Sequence, residues 1–418
     1  MDPALGELPC ADVHVRDGAI VAVGPDLRVP GVAEIDARDT LVLPGFVDTH
    51  WHLWNSALRA LVRGDDARHG YFPITLGTGP MFTPEDSYHS VRLGLAEGLL
   101  TGITTVQNWA HNARSPEHAD AELRAMAEMG VRGRFAYGWG QEQALDQAMD
   151  MRGIERLVRD GLPCDRLTLG VAVRTPVANP RGAVPIAVVS QECAHVRSLG
   201  LPLTMHARPG IVSVLAEHGL LGPDLQLVHP QGMSPDECVQ LAAAGTSVTC
   251  SPTIEMLYAQ AMRGVIQFHE LEEAGVRQSL SVDSSGASAS ADFFACMRAL
   301  LWSHKQRFGN RAPLSARRLL RLATLDGARD LGLADHVGSL TPGKRADIQI
   351  VRTTDINIAP VFDPVHALVY SGQPANVDTV LVDGHVLLRR GQPMRWDAGE
   401  IVRNATTAMR ELANRYQP

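Results

Sequence analysis

The sequence predicts an α/β fold, a (β/α)8 TIM barrel with a small composite β-sandwich domain built from both termini. Three observations predict it. From about residue 46 to residue 310, eight short apolar strands alternate with helix-like segments, the count of a barrel whose chemistry sits at the C-terminal ends of its strands. Both ends of the chain instead carry short alternating strands joined by an Asp-Gly pair, Asp17-Gly18 at the front and Asp383-Gly384 at the back, each a strong hairpin signal. The 418 residues also exceed the about 200–250 that one barrel needs. The expected boundaries are 1–45 and 341–418 for the β-sandwich and 46–340 for the barrel, which is inserted into it.

In chain order, ADVHVRDGAIVAVG reads as the first hairpin and IDARDTLVLPGF as a further strand that stops at Pro44-Gly45. The barrel strands follow at 46–50, 103–109, 133–139, 167–173, 203–206, 225–229, 247–251 and 278–283. Between them lie PEDSYHSVRLGLAEGLL, PEHADAELRAMAEMG, VPIAVVSQECAHVRSLG, SPDECVQLAAAG and SADFFACMRALLWSH. Several open on Ser/Thr-Pro followed by acids and close at Gly, as helix caps require. After SARRLLRLATLDGARDLGL the strand pattern returns in ADIQIVRT, HALVYSG and VDTVLVDGHVLL.

Composition narrows the function classes. With 45% hydrophobic and 20% charged residues the chain is an ordinary globular protein. A net charge of −8 lacks the basic face of a nucleic-acid binder. No apolar run approaches the roughly 18 residues of a membrane span. Six cysteines without CxxC spacing, behind a start that lacks the features of a secretory signal, predict free thiols and a cytoplasmic location. The expected partners are a small-molecule substrate and further copies of the chain, a dimer or larger.

The chemistry is written at the strand tips. PGFVDTHWHLW ends the first barrel strand with His50 and His52, two apart and so on one side of an extended chain. LTMHAR ends the fifth with His206, LVHP the sixth with His229, and LSVDSS the eighth with Asp283. A single strand-tip histidine is ordinary core. Imidazoles and a carboxylate gathered at four strand ends match what a divalent ion needs, with a position left open for water.

These ligand motifs, with VRDGAIVAVGP, LVLPGFVDTHWH, SPTIEM after the seventh strand, SLTPGKRADIQIV and VLVDGHVLLRRG, resemble the amidohydrolase superfamily in its cytosine deaminase and triazine hydrolase branch, over nearly the whole length. The resemblance implies one metal, Zn²⁺ ahead of Fe²⁺, on His50, His52, His206 and Asp283, and a metal-activated water that attacks an electron-poor carbon. It further implies that Asp283 takes a proton from that water and that His229 polarises the hydroxide or the substrate. Binuclear relatives bridge two metals with a carboxylated lysine on the fourth strand. The chain has only Lys305 and Lys344, so a bridged pair of that type is excluded.

Departures from the resemblance set further expectations. The branch carries a glutamate three residues after the strand-five histidine, whereas this chain has His206-Ala207-Arg208-Pro209. Glu255 in SPTIEM is the expected substitute as a catalytic acid, against the reading of an exposed loop carboxylate. Arg208 is expected to hold a substrate carboxylate or carbonyl, against a rim salt bridge. Trp54, Gln107, Asn108, His111 and Trp139, together with Trp51 and Trp109, are expected to line a pocket suited to a flat heterocycle, against simple packing. Relatives also carry an extra strand ahead of the segment where Met1 starts, which would leave an exposed edge on the small sheet. The function expected is hydrolytic deamination of a small nitrogen heterocycle by a mononuclear metal-dependent hydrolase. The alternatives are hydrolysis of another C–N (cyclic amide) or C–halogen bond and, more distantly, a non-catalytic scaffold.

Overall fold

The computed structural model describes residues 5–140, 142–176, 182–259, 264–288 and 290–416. Its centre is one sheet of eight parallel strands in sequential order: β4 (Phe46–Trp51), β5 (Ile103–Ala110), β6 (Arg132–Tyr137), β7 (Leu167–Ala172), β8 (Leu203–His206), β9 (Leu225–Val228), β10 (Ser247–Cys250) and β11 (Gln278–Leu280). The ring closes just beyond β11. Asp283 N–H donates to His50 O (3.0 Å) and His52 N–H to Asp283 O (2.7 Å), so the closing hydrogen bonds run through three of the expected ligand residues.

The helices form where the sequence carries their caps. Thr83 and Asp86 make a reciprocal capping box ahead of Pro84–Leu100, and Ser234 and Glu237 do the same ahead of Pro235–Ala244. Left-handed Gly130 and Gly245 end the helices that precede β6 and β10. No helix among the described residues is long and apolar enough to cross a membrane.

The small β-element draws on both ends of the chain. β3 (Thr40–Pro44) pairs antiparallel with β12 (Ile348–Arg352), which continues through β13 (Val377–Val382) and β14 (His385–Arg389) to β15 (Gln392–Pro393). The hairpin of β1 (Asp12–Arg16) and β2 (Ala19–Gly24) packs over it around Ile20, Ile348, Ile350 and Leu381. Both Asp-Gly turns have positive φ at each residue, and they abut so closely that a Cβ on Gly384 would lie 2.9 Å from Gly18 Cα.

One residue, Gly45, carries the chain from the small sheet into the barrel, and a Cβ there would meet Thr104 Oγ1 at 2.1 Å. Arg132 at the base of β6 clamps the two parts with bonds to Asp347 (2.7 and 3.1 Å) and Asp383 (3.1 Å). The C-terminal helix, Ala398–Arg415, leaves the small sheet. It lies along Pro84–Leu100, where Met409 and Leu412 share a core with Trp54 and Leu58.

Candidate metal centre

The barrel places His50, His52, His206, His229 and Asp283 around one point at its C-terminal mouth. Ligand atoms of His50, His206 and His229 lie within 4.8 Å of one another, as do those of His50, His52 and Asp283. Asp283 Oδ1 is 3.3 Å from His50 Nε2 and 3.2 Å from His52 Nε2, while Oδ2 is 3.3 Å from His229 Nε2. His229 and Asp283 both have left-handed backbone, with φ of 64° and 65°. That conformation is costly for residues with a Cβ, and such strain concentrates where a site must aim a side chain.

Burial first, and then the neighbouring His52, pushes the His50 imidazole down to about 3. Burial and the surrounding histidines likewise push His206 well below its ordinary value. Neutral imidazoles are the form that ligates metal. His50 Nδ1 and Nε2 and His52 Nδ1 are buried without a hydrogen-bond partner among the described residues, which suits atoms that await a cation. Three imidazoles and a carboxylate match the donor set of a catalytic zinc-type site, so the residues fit the ion.

His229 stands apart. Burial opposes its charge, but Asp283 at Nε2 and Glu255 at Nδ1 outweigh it and hold the pKa at about 9. Glu255 departs from the expected position. It lies in the helix Pro252–Leu257 and is fully buried, neither an exposed loop acid nor an acid at the pocket mouth. Its Oε1 accepts from Ser251 N–H (2.9 Å) and sits 3.2 Å from His229 Nδ1. The seventh strand ends one residue early, and the helix that starts there turns the carboxylate inward, behind the histidine.

The pocket-lining expectation divides. His111 lies over the centre, 4.3 Å ring to ring from His52, and Trp139 packs 5.7 Å from His111. Trp54 is buried in the core behind them, where its Nε1 donates to His111 Nδ1 (3.2 Å). Gln107 faces into the barrel below the site, donating to Thr49 O and Gln226 Oε1, both at 2.7 Å. Asn108, one residue on, faces outward to Glu122 (2.8 Å). Neither amide lines the pocket. Trp51 also points outward, so close to the helix Pro84–Leu100 that a Cβ on Gly98 would lie 3.0 Å from its ring. Arg208 is half-buried at the end of β8, with no rim salt bridge among the described residues.

Trp109, also expected at the pocket, forms a wall, with ring distances of 4.7 Å to His50 and 4.2 Å to His206. Two contributors escaped the sequence reading. Asp48 lies beneath the site and accepts from the N–H groups of His50 (2.9 Å) and Val282 (3.1 Å). Tyr71 sits beside Asp283, bonded through its hydroxyl to Asn55 (2.9 Å), and no sequence pattern marks it. The barrel strand β7 carries no lysine. Lys305 lies on an outer helix, and Lys344 donates to Val337 O (3.3 Å) far along the chain.

The profile of the amidohydrolase family matches residues 41–387. The chain is 28% identical to a 5′-deoxyadenosine deaminase of Methanosarcina acetivorans, across 99% of this chain and 96% of the relative. It is 29% identical to a 5-methylthioadenosine/S-adenosylhomocysteine deaminase of Desulforudis audaxviator, across 98% and 96%. Among solved structures, a variant of atrazine chlorohydrolase from Arthrobacter aurescens complexed with zinc and atraton superposes with a TM-score of 0.83 at 25% identity, over 98% of this chain and 97% of that one. An adenosine deaminase from Xanthomonas campestris with bound zinc shares the fold, with a TM-score of 0.82 at 22% identity over 97% and 94%.

Proposed function

The chain belongs to the amidohydrolase family, and from that premise we propose that it is a mononuclear metal-dependent hydrolase that deaminates a small nitrogen heterocycle. The observation that carries the reading is the convergence of His50, His52, His206 and Asp283 on one point, with His229 and Glu255 stacked behind them. Deaminase relatives that span nearly the whole chain support it, and the adenine ring in their substrates is the kind of heterocycle meant. The intact ligand set counts against a scaffold without activity. The cysteine pattern favours a cytoplasmic enzyme.

One divalent ion on His50, His52, His206 and Asp283, zinc by preference, would supply Lewis-acid activation of a water at neutral pH. The residues do the rest. Asp283 accepts the proton of the attacking water. His229 donates from Nε2 to the substrate atom that gains electron density. Glu255 acts through His229 as a positioning residue, because its carboxylate fixes which ring nitrogen faces the reaction. Trp109 and His111 exclude water from one side of the site.

A second reading is favoured by the burial of Glu255. With that acid turned away and Pro209 where the branch has glutamate, the chain offers little help to an amine as it leaves, which favours a better leaving group such as a ring chloride or a cyclic amide. The test is purified protein assayed for metal content and for ammonia, chloride and ring-opened product from aminated, chlorinated and cyclic-amide heterocycles. About one transition metal per chain and chelator-sensitive ammonia release are the expected result. Chloride release or ring opening without ammonia transfers the assignment to the second reading, and activity in metal-free protein refutes both.

A further inference from the structure

A departing amine needs a proton, and neither Pro209 nor the inward-turned Glu255 can hand it one. Tyr71, the first residue of the helix Tyr71–Thr78, stands at the centre with a proton to give. Its hydroxyl is held by residues that follow two of the candidate ligands. Asn55, whose N–H is bonded to His52 O (3.2 Å), donates from Nδ2 to the Tyr71 oxygen (2.9 Å). Ser284, the residue after Asp283, donates from Oγ to Asn55 Oδ1 (2.8 Å) and acts on the Tyr71 oxygen as well. Asn55 and Ser284 are both fully buried, so the hydroxyl is fixed from the protein side. The charged group that acts on it most strongly is the Asp283 carboxylate. Its ring packs against Tyr258 at 6.5 Å, whose hydroxyl also feels Asp283, so both phenols stand near the same carboxylate. An amide N–H only donates, so towards Asn55 the phenol is the acceptor and its own proton remains available. A phenol keeps that proton at neutral pH, and burial and the Asp283 charge hold it there.

We propose that Tyr71 is a further catalytic residue, whose hydroxyl gives the leaving amine the proton that the branch takes from a glutamate. The inference rests on the reading that the reaction is a deamination. Water loses a proton to Asp283 as its oxygen bonds the ring carbon. The C–N bond then breaks, the nitrogen keeps the electron pair and takes the Tyr71 proton, and ammonia leaves. The attacking oxygen and the leaving nitrogen share one carbon, so a donor beside Asp283 is on hand for both. The phenolate, held by the Asn55 N–H, recovers its proton from Asp283, and both groups end as they began.

The test is steady-state kinetics and metal analysis of Y71F on the aminated heterocycle that the purified protein hydrolyses best. Phe keeps the ring and removes the hydroxyl, so kcat for ammonia release should fall by about 10² or more, with KM within about threefold and metal content unchanged. A second protein carries 3,5-difluorotyrosine at position 71 and covers the case in which Y71F fails to fold. It keeps the ring and the hydroxyl but makes the phenol a stronger acid, so kcat at neutral pH should rise about threefold or more, as Brønsted behaviour requires of a proton donor. A hydroxyl with only a structural role would not respond to its own acidity. A Y71F kcat within about threefold of wild type, a loss confined to KM, a loss of metal, or an unchanged or lower kcat with difluorotyrosine overturns the inference. Ammonia release by wild type together with a normal Y71F sinks this inference alone. A wild type that releases no ammonia from any aminated ring sinks the deamination reading, and the role of Tyr71 with it.

Discussion

Replacing Glu255 with Gln tests whether that carboxylate works on the substrate or on His229. A single oxygen, Oε1, receives both the Ser251 N–H (2.9 Å) and His229 Nδ1 (3.2 Å), while Oε2 is buried without a partner. A glutamine carbonyl can occupy the Oε1 position and keep both contacts, so the substitution removes the charge and little else. A charge-assisted hydrogen bond is worth about 1.5–3 kcal/mol and roughly twice a neutral one, so the loss is about 0.8–1.5 kcal/mol. If the reaction depends on the aim of His229, that becomes about a 4- to 13-fold fall in kcat, because each 1.36 kcal/mol is about tenfold. KM should hardly move. Metal content should be unchanged, because Glu255 belongs to neither ligand cluster. The assay is steady-state kinetics on the hydrolysed substrate with metal analysis of the same preparation. A fall of more than about 10²-fold would mean that Glu255 itself transfers a proton, since direct acid catalysis contributes about 10²–10⁴. A variant within twofold of wild type would show that the His229–Glu255 contact has no part in turnover. Either result refutes the positioning argument.

Asp283→Asn should lower kcat by about 10² or more while part of the metal is retained, because an amide cannot take a proton from the attacking water; normal turnover would remove Asp283 from that role. Glu122 is buried against Asn108, and burial raises its carboxyl from 4.5 to about 8. Between those values the unfolded chain gives up a proton that the folded chain keeps, so stability falls by roughly 1.4 kcal/mol per pH unit as pH rises and levels off above about 8. Glu122→Gln should flatten that slope in urea denaturation at pH 5 and pH 8, and parallel wild-type and variant curves would contradict it. Arg132→Met leaves Asp347 buried without its partner and should cost about 3–5 kcal/mol, and a variant with an unchanged urea midpoint would show that the clamp between barrel and small sheet contributes nothing.

Much of the fold was legible because its signals are local. Cap residues, Asp-Gly turns and the two-residue alternation of strands act over a few neighbours, so the helix from Pro84 to Leu100 begins and ends where its sequence says. The same alternation put His50 and His52 on one side of the chain, His52 one residue beyond the end of β4. It also predicts that Gln107 and Asn108 face opposite ways, yet it cannot say which faces the barrel or how far below the mouth that residue lies. Those depend on the pairing of β5 with strands β4 and β6, contacts set by residues far off in the chain.

The sequence by itself determined the barrel, the composite β-element and the set of residues able to hold a metal. It took the closed tertiary structure to show that Glu255 turns inward behind His229, that His229 and Asp283 accept a left-handed backbone, that Asp48 lies beneath the centre, and that Arg208 meets no counter-ion among the described residues. The reason is physical. Periodicity and capping are short-range preferences carried by each segment, whereas burial, charge pairing and tolerated strain are set by whatever the closed barrel brings alongside, and His50 and Asp283 meet only when its first and last strands join.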